Sequence, residues 1–455
     1  MKKTFLQKII INKKIWLDKK KVEEPLLSFK NKITVTNKDF YLALKKNKPA
    51  FIFECKKYSP SLGLLNKKFN IKQIANTYKH YASVVSILTD QHYFHGDFQN
   101  ITQCRSILHQ PILCKDFFID PYQIYLARYY QADAIILMLS VLSDQQYVIL
   151  SEIAQSMKMG ILTEVNNQNE VDRAIYLKAK VIGINNRNLH DLTINLDYTR
   201  KLAISIPKNI TIISESGISN YNQVRELSDL VNGFLIGSSL MLSNNLEESI
   251  KSIMVGKNKI CGLTRLQDAQ TAEYYGAIYG GLIFFKNSTR YIHDKIAKKI
   301  VEQVKLKYIG VFCNEPIINI NYKINDLQLY GIQLHGSENQ EYINNLLKII
   351  PKNTQIWKAF YIDKNIPQYN WKNVNYYLFD NKNGGGTGKT FDWSLLKNSC
   401  LKKVLLAGGL NEQNCFNASK IGCVGLDFNS GVEKKPGVKD KEKIKNIFHI
   451  LRYYK

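Results

Sequence analysis

No Cys-x-x-Cys pair occurs in the 455-residue chain, and its eight cysteines (Cys55, Cys104, Cys114, Cys261, Cys313, Cys400, Cys415 and Cys423) are widely spread. Zinc ribbons and thioredoxin-type motifs need closer pairs, so reduced thiols in a cytoplasmic protein are expected. No run approaches the ~18 uncharged apolar residues of a membrane span. The opening MKKTFLQKIIINKKIW begins basic, but Lys8, Lys13 and Lys14 break the apolar core that a signal peptide needs. A soluble chain without a membrane partner is the expectation.

Acidic residues are scarce as well, 38 against 63 lysines and arginines, for a net charge of +25. Such a balance raises nucleic acid as a partner. The lysines, however, are dispersed among Asn, Ile and Tyr, with Lys19 to Lys21 a typical short cluster. We read them as a solvated surface with a few anion-binding lysines, and expect no nucleic acid. A Walker A loop is also missing: in NGGGTGKT (383–390) Asn383 stands where its first glycine belongs, and TFDW follows rather than a clear helix. His92, His95 and Asp97 are metal-binding residue types, yet no further ligand lies nearby in sequence. Neither a metal nor an organic cofactor is expected.

What is present is the balance of a folded protein, 45% hydrophobic and 22% charged. The length exceeds one ordinary core and accommodates two barrel-sized domains. Strand-type runs recur with Lys-rich helical segments between them: FIFEC (51–55), VVSIL (84–88), PILCK (111–115), AIILML (134–139), GILTEV (160–165), VIGIN (181–185), TIISES (211–216) and GFLIG (233–237). After the polar stretch MVGKNK (254–259) a second series of eight begins: KICG (259–262), GGLIFF (280–285), YIGVF (308–312), GIQLH (331–335), QIWKAF (355–360), YYLFD (376–380), KVLLAGG (403–409) and CVGLDF (423–428). Two sets of eight parallel strands predict an α/β chain of two consecutive (β/α)8 TIM barrels, residues 1–255 and 256–455. The first 48 residues, with Phe5, Ile9, Ile10 and Trp16 apolar among lysines, predict an amphipathic helical extension on the first barrel.

In such barrels the chemistry sits at the carboxyl ends of the strands. In the first series those ends carry Glu54 and Lys56, Lys115, Glu164, Asn185 and Arg187, and Glu215 with Ser216. Any one alone reads equally well as a solvated charge, but five strands agree. The loops SESGIS (214–219) and LIGSSL (235–240) place Gly217, Gly237 and Ser238 where backbone N–H groups can meet an anion. The second series repeats the pattern in NGGGTGKT, LAGGL (406–410) and DFNSGVE (427–433). A phosphate nest fits these loops.

Over nearly its whole length the chain resembles the bifunctional indole-3-glycerol-phosphate synthase and phosphoribosylanthranilate isomerase of bacteria. ECKKYSPS, YASVVSILTD, PILCKDFFIDPYQIYLARYYQADA, MGILTEV, VIGINNRNL, SESGIS and GFLIGSSLM resemble the synthase; KICGLTR, GIQLHGSE, GGGTGKTFDW and GLDFNSGVE resemble the isomerase. The resemblance implies that the synthase closes an indole ring with loss of CO2 and water. It implies Lys115 as general acid, Glu164 as acid/base for dehydration and Lys56 at the substrate carboxylate. Asn185 and Ser216 would orient the substrate, while Glu54 and Glu215 hold the lysines and hydroxyls. Ser59, Arg187, Gly217, Gly237 and Ser238 fall on phosphate- or substrate-binding positions.

For the isomerase, an Amadori rearrangement of an aminoaldose, the resemblance implies Asp380 as the acid and Cys261 as the base. A donating Asp implies a raised pKa. A cysteine near 8.5 is only partly thiolate at neutral pH, so local activation is expected. Arg290 would grip the anthranilate carboxylate. Gly386, Gly388, Gly408, Gly409, Asp427, Ser430 and Gly431 would bind the rest of a phosphorylated small molecule. Three positions depart from the family pattern: Thr289 for a common proline, Leu62 for lysine and Asn188 for aspartate. The rivals are a chain with one active barrel and one scaffold barrel, a basic nucleic-acid-binding protein, and the histidine-pathway isomerase, which would need an aspartate where Cys261 stands. The fusion is compatible with a monomer.

Overall fold

Parallel strands covered on both faces meet no water, which is why they read as unbroken apolar runs; Val84–Leu88 and Val181–Asn185 are buried at every position. In the computed structural model, which describes residues 4–188, 191–381 and 390–453, eight such strands close the first barrel. They are β1 (Ala50–Cys55), β2 (Val84–Leu88), β3 (Ile112–Lys115), β4 (Ala134–Met138), β5 (Gly160–Val165), β6 (Val181–Asn185), β7 (Thr211–Glu215) and β8 (Gly233–Ile236). Each pairs in parallel with the next, and β1 closes on β8 with Ala50 opposite Gly233 and Phe53 opposite Ile236. A helix follows every one of these strands. Several start on side chains that accept backbone N–H groups of the first turn: Asn70, Asp120, Ser143 and Asn167.

The second barrel comprises β9 (Lys259–Ile260), β10 (Tyr279–Ile283), β11 (Lys307–Phe312), β12 (Gly331–Leu334), β13 (Gln355–Ile362), β14 (Tyr376–Asn381), β15 (Val404–Leu406) and β16 (Gly425–Phe428). It closes between β9 and β16, with Lys259 opposite Asp427. Tyr279, Trp357, Leu378 and Leu405 fill part of its interior, the Trp357 ring edge-on to Tyr279 at 4.8 Å. The expected runs KICG and KVLLAGG are cut to two and three strand residues. Gly262, Gly408 and Gly409 adopt positive φ of 67°, 82° and 64°, which turns the chain out of the sheet.

The expected alternation also fails locally here. Among the described residues no helix follows β13, and only 3-10 turns (Trp393–Leu396, Leu401–Lys403) lie between β14 and β15. Residues 363–375 contain Pro367 and four asparagines, which disfavour a helix. Aromatic packing covers the strands instead: Tyr369 against Phe379 at 5.1 Å and Trp371 against Phe360 at 5.5 Å.

The amino-terminal extension is three α-helices and a 3-10 turn rather than one helix: α1 (Phe5–Glu23), α2 (Leu26–Phe29), the 3-10 turn Lys30–Lys32 and α3 (Phe40–Lys46). Pro25 follows the end of α1, as expected of a residue that cannot continue a helix. The buried stripe of α1 is Ile9, Lys13 and Leu17, one residue every four. Phe5, Ile10 and Trp16 are only half-buried, and a lysine lies inside the stripe. By its internal packing the chain divides into two units at Ile250 and Lys251, with 220–225 grouped with the second.

Candidate active sites

The carboxyl ends of β1, β3, β5, β6 and β7 deliver Glu54, Lys115, Glu164, Asn185 and Glu215 into one cavity of about 340 Å³. Lys56, Ser59, Arg187, Ser216, Gly217, Gly237 and Ser238 line the same cavity, so all twelve residues expected for the first barrel are brought together. The Lys115 ammonium lies 3.2 Å from Glu164 Oε2 and 3.4 Å from Glu215 Oε2. Asn185 Nδ2 donates to Glu164 Oε1 at 3.0 Å, and Lys56 Nζ sits 2.6 Å from Glu54 Oε1. Arg187 donates to Ser61 Oγ at 3.2 Å and to the Leu192 carbonyl at 2.9 Å. A glycine is required at 237 by close approach: a Cβ there would lie 2.2 Å from Glu54 Oε1.

Burial pushes the Glu215 carboxyl up to about 8; the Lys115 ammonium opposes this, while Glu164 and Glu54 add like-charge repulsion. Its Oε1 is buried with no hydrogen-bond partner among the described residues, as suits a proton-bearing carboxyl. Burial alone would depress Lys115, but Glu164, Glu215 and Glu54 together raise it above the ordinary lysine value. Burial would likewise raise Glu54, yet Lys56 and Lys115 hold it below the usual range. With Glu215 protonated and Asp116 paired to Lys13, Lys56, Lys115 and Arg187 outnumber the remaining carboxyl groups of Glu54 and Glu164, so the cavity favours anions.

Lys13 was missed. From α1 it reaches Asp90 at 2.7 Å and Asp116 at 2.6 Å, with all three side chains buried. The same helix sends Phe5 and Ile9 into the cavity wall. The only signal was an unexplained lysine on an apolar face, and both aspartates lie far away in sequence. His92 and His95 pack on aromatic rings, His95 stacked on Tyr58 at 4.4 Å. Among the described residues no cluster of three His, Cys, Asp or Glu side chains is arranged to hold a metal.

In the second barrel Cys261, Arg290, Asp380, Gly408, Gly409, Asp427, Ser430 and Gly431 line a cavity of about 380 Å³. Gly386 and Gly388 lie outside the described residues. A buried lysine organises this site. Lys259 Nζ donates to Cys261 Sγ at 3.0 Å, Gln333 Oε1 at 2.9 Å and Asp427 Oδ2 at 2.9 Å. His335 Nδ1 is 2.7 Å from Gln333 Nε2, and its Nε2 is 3.8 Å from Asp380 Oδ2. Arg290 forks onto Glu433 with contacts of 2.8 to 3.2 Å, and Lys439 meets the same carboxylate at 2.8 Å. Lys259, Gln333, His335 and Glu433 lie within KICGLTR, GIQLHGSE and GLDFNSGVE but carried no assigned role, because only the folded barrel juxtaposes them.

Burial raises the Asp380 carboxyl to about 6, partly opposed by the Asn381 N–H, in line with an acid that must hold its proton. The expected activation of Cys261 is not what its surroundings produce. Burial pushes the thiol above its ordinary value, and Lys259 offsets only part of that rise. Gly408 is needed beside the acid, since a Cβ there would lie 2.8 Å from the Asn381 nitrogen and 2.9 Å from Asp380 Oδ1.

Two barrels, each gathering proton donors and acceptors at its strand ends beside glycine-bearing loops, define a chain with two acid–base enzyme sites. An indole-3-glycerol phosphate synthase model matches residues 6–253, and an N-(5'phosphoribosyl)anthranilate isomerase model matches residues 258–450. The tryptophan biosynthesis protein TrpCF of Buchnera aphidicola subsp. Acyrthosiphon pisum is 56% identical over 453 residues, covering 100% of both chains. The protein of the same name from Yersinia pestis is 51% identical over 452 residues, covering 99% of this chain and 95% of its own. The chain belongs to the bifunctional indole-3-glycerol-phosphate synthase/phosphoribosylanthranilate isomerase family, and is a two-activity enzyme of tryptophan biosynthesis with the synthase barrel first.

Proposed function

We propose that residues 256–455 isomerise N-(5-phosphoribosyl)anthranilate with Asp380 as acid and Cys261 as base. Asp380 protonates the ribose ring oxygen, the C1–O bond opens, and Cys261 removes the proton from C2. The product is the aminoketose 1-(2-carboxyphenylamino)-1-deoxyribulose 5-phosphate. Lys259 supports this reading because its N–H to Sγ stabilises the thiolate, the form of Cys261 that can take up a proton. Arg290 takes the anthranilate carboxylate, already aimed by Glu433. Gly408, Gly409, Ser430 and Gly431 receive the phosphate with Gly386 and Gly388, and Asp427 has a buried Oδ1 left for a substrate hydroxyl.

Residues 1–255 then cyclise that aminoketose to indole-3-glycerol phosphate. Lys115 protonates the ketone oxygen as the ring closes, Lys56 holds the departing carboxylate, and Glu164 shuttles the proton for dehydration. Asn185 and Ser216 orient the substrate, and Ser59, Arg187, Gly217, Gly237 and Ser238 hold its phosphate end. The observation that carries the assignment is the Lys115–Glu164–Glu215 cluster, a proton-bearing lysine between two carboxyl groups at the cavity floor. Both cavities hold a complete acid–base set, which favours two active barrels over one barrel and a scaffold. The ligands are phosphorylated small molecules; we read the basic surface as solvated and the chain as competent without a nucleic-acid partner or a second copy.

The test follows both half-reactions in the wild type, Lys115→Ala and Cys261→Ala. Each substitution is expected to abolish its own step by about 10³-fold or more while leaving the other within about twofold. Loss of both steps in either folded variant would overturn the division of labour.

A further inference from the structure

Three polar side chains of the second barrel, Lys259, Gln333 and His335, form a hydrogen-bonded chain that ends 3.8 Å from Asp380 and whose directions can be assigned from the lysine. Lys259 is fully buried, and its ammonium has three protons and no lone pair. Its three neighbours, Cys261 Sγ, Asp427 Oδ2 and Gln333 Oε1, all lie within 3.0 Å, so each of them accepts. Gln333 therefore turns its oxygen to Lys259 and its NH2 to His335 Nδ1 at 2.7 Å. An amide NH2 only donates, so Nδ1 carries the lone pair and the neutral ring holds its proton on Nε2. Burial and the ammoniums of Lys259 and Lys358 keep this imidazole well below its ordinary value, at about 4, so its approach to Asp380 is not an ion pair. Asp380 Oδ1 already accepts the Asn381 N–H at 2.8 Å, which leaves Oδ2, 3.8 Å from His335 Nε2, as the oxygen bearing the transferable proton.

We propose that Lys259 and Gln333 are positioning residues that lock His335 as its Nε2–H tautomer, and that His335 donates to Asp380 Oδ2 as that oxygen gives up its proton. In this step the Asp380 O–H bond breaks, an O–H bond forms at the ribose ring oxygen, and the C1–O bonding pair moves onto that oxygen. The new carboxylate gains a charge-assisted N–H···O contact when the 3.8 Å gap closes by about 1 Å. No bond at His335 is broken. One buried ammonium thereby orients both ends of the reaction, the sulfur directly and the acid through two relays. The inference rests on reading Asp380 as the acid.

The experiment is ¹⁵N NMR of the full-length chain labelled at histidine, with the His335 signals identified by their loss in His335→Asn, together with isomerase kinetics of Gln333→Glu. The wild type is expected to show a neutral ring protonated at Nε2 at pH 7. In Gln333→Glu the carboxylate can only accept, so the ring should reverse to Nδ1–H, with kcat falling about a hundredfold and KM within about threefold. A merely structural role would not reverse the tautomer. A wild-type ring protonated at Nδ1 or at both nitrogens overturns the proposal, as does a folded Gln333→Glu with kcat within about twofold of wild type. If Gln333→Glu does not fold, the wild-type tautomer alone decides. Should Asp380→Asn remain active, it is the assignment of the acid that fails; an inactive Asp380→Asn beside an active Gln333→Glu condemns only the relay.

Discussion

The two barrels solve the same problem, holding acids and bases at the mouth of a closed sheet, with opposite electrostatic plans. In the first, the reactive groups touch: Lys115 bridges Glu164 and Glu215, and Lys56 rests on Glu54. Burial, helped by repulsion from Glu164, drives Glu215 up against the pull of Lys115, while the surrounding carboxyl groups raise Lys115 against its own burial. In the second, no hydrogen bond joins Cys261 to Asp380 among the described residues. Cys261 and Asp380, the proposed base and acid, line one cavity, and Lys259, Gln333 and His335 run from the sulfur to within 3.8 Å of the carboxyl. Ring closure with loss of CO2 benefits from cations gathered against a carboxylate; an aldose–ketose shift needs a donor and an acceptor kept apart. The difference teaches that one scaffold leaves proton affinity to the immediate neighbours of each strand end.

That contrast can be broken or sharpened experimentally. The largest effect is expected for Asp380→Asn, a loss of about 10³-fold in isomerase kcat with the synthase untouched. The wild-type isomerase should also lose activity below about pH 6. Below that value both Asp380 and Cys261 hold protons and the base is missing; above the Cys261 value both have lost theirs and the acid is missing. Between them one proton is shared, and the form with protonated Asp380 and thiolate is active. A pH–rate profile without the acid limb would remove the separation of acid and base on which the comparison stands.

Next comes Lys13→Ala, which leaves Asp90 and Asp116 buried without their cation and should destabilise the first barrel by about 3–5 kcal/mol. Denaturant unfolding of the full chain should show the loss in the phase that carries synthase activity; an unchanged midpoint would mean that α1 docks through apolar contacts alone. The smallest effect belongs to Arg290→Lys. An ammonium cannot reproduce the guanidinium fork onto Glu433, so KM for the isomerase substrate should rise about tenfold with kcat nearly constant. A fall in kcat at constant KM would place Arg290 in the chemistry rather than in binding.

Much of this was written along the chain. Sixteen apolar runs could be found because buried parallel strands show no polar face, and the candidate site residues sit at or just past their carboxyl ends because barrel sites use that rim. The strand ends therefore carried Glu54 and Lys56 as soon as the strands were recognised, whereas Cys261 was singled out only by the resemblance of KICGLTR to the isomerase family. Local composition also explains the missing helix after β13, since Pro367 and its asparagines are visible without coordinates. What linear order could not supply is pairing across the barrel. Lys13 looks like a defect in an apolar stripe until Asp90 and Asp116 close around it, and Lys259 reads as one more surface lysine until Asp427, 168 positions away, is its strand neighbour. Proton affinity belongs to this second category: it depends on burial and on charges a few ångströms away, and neighbours in space are set by the closing of the sheet rather than by adjacency in the chain.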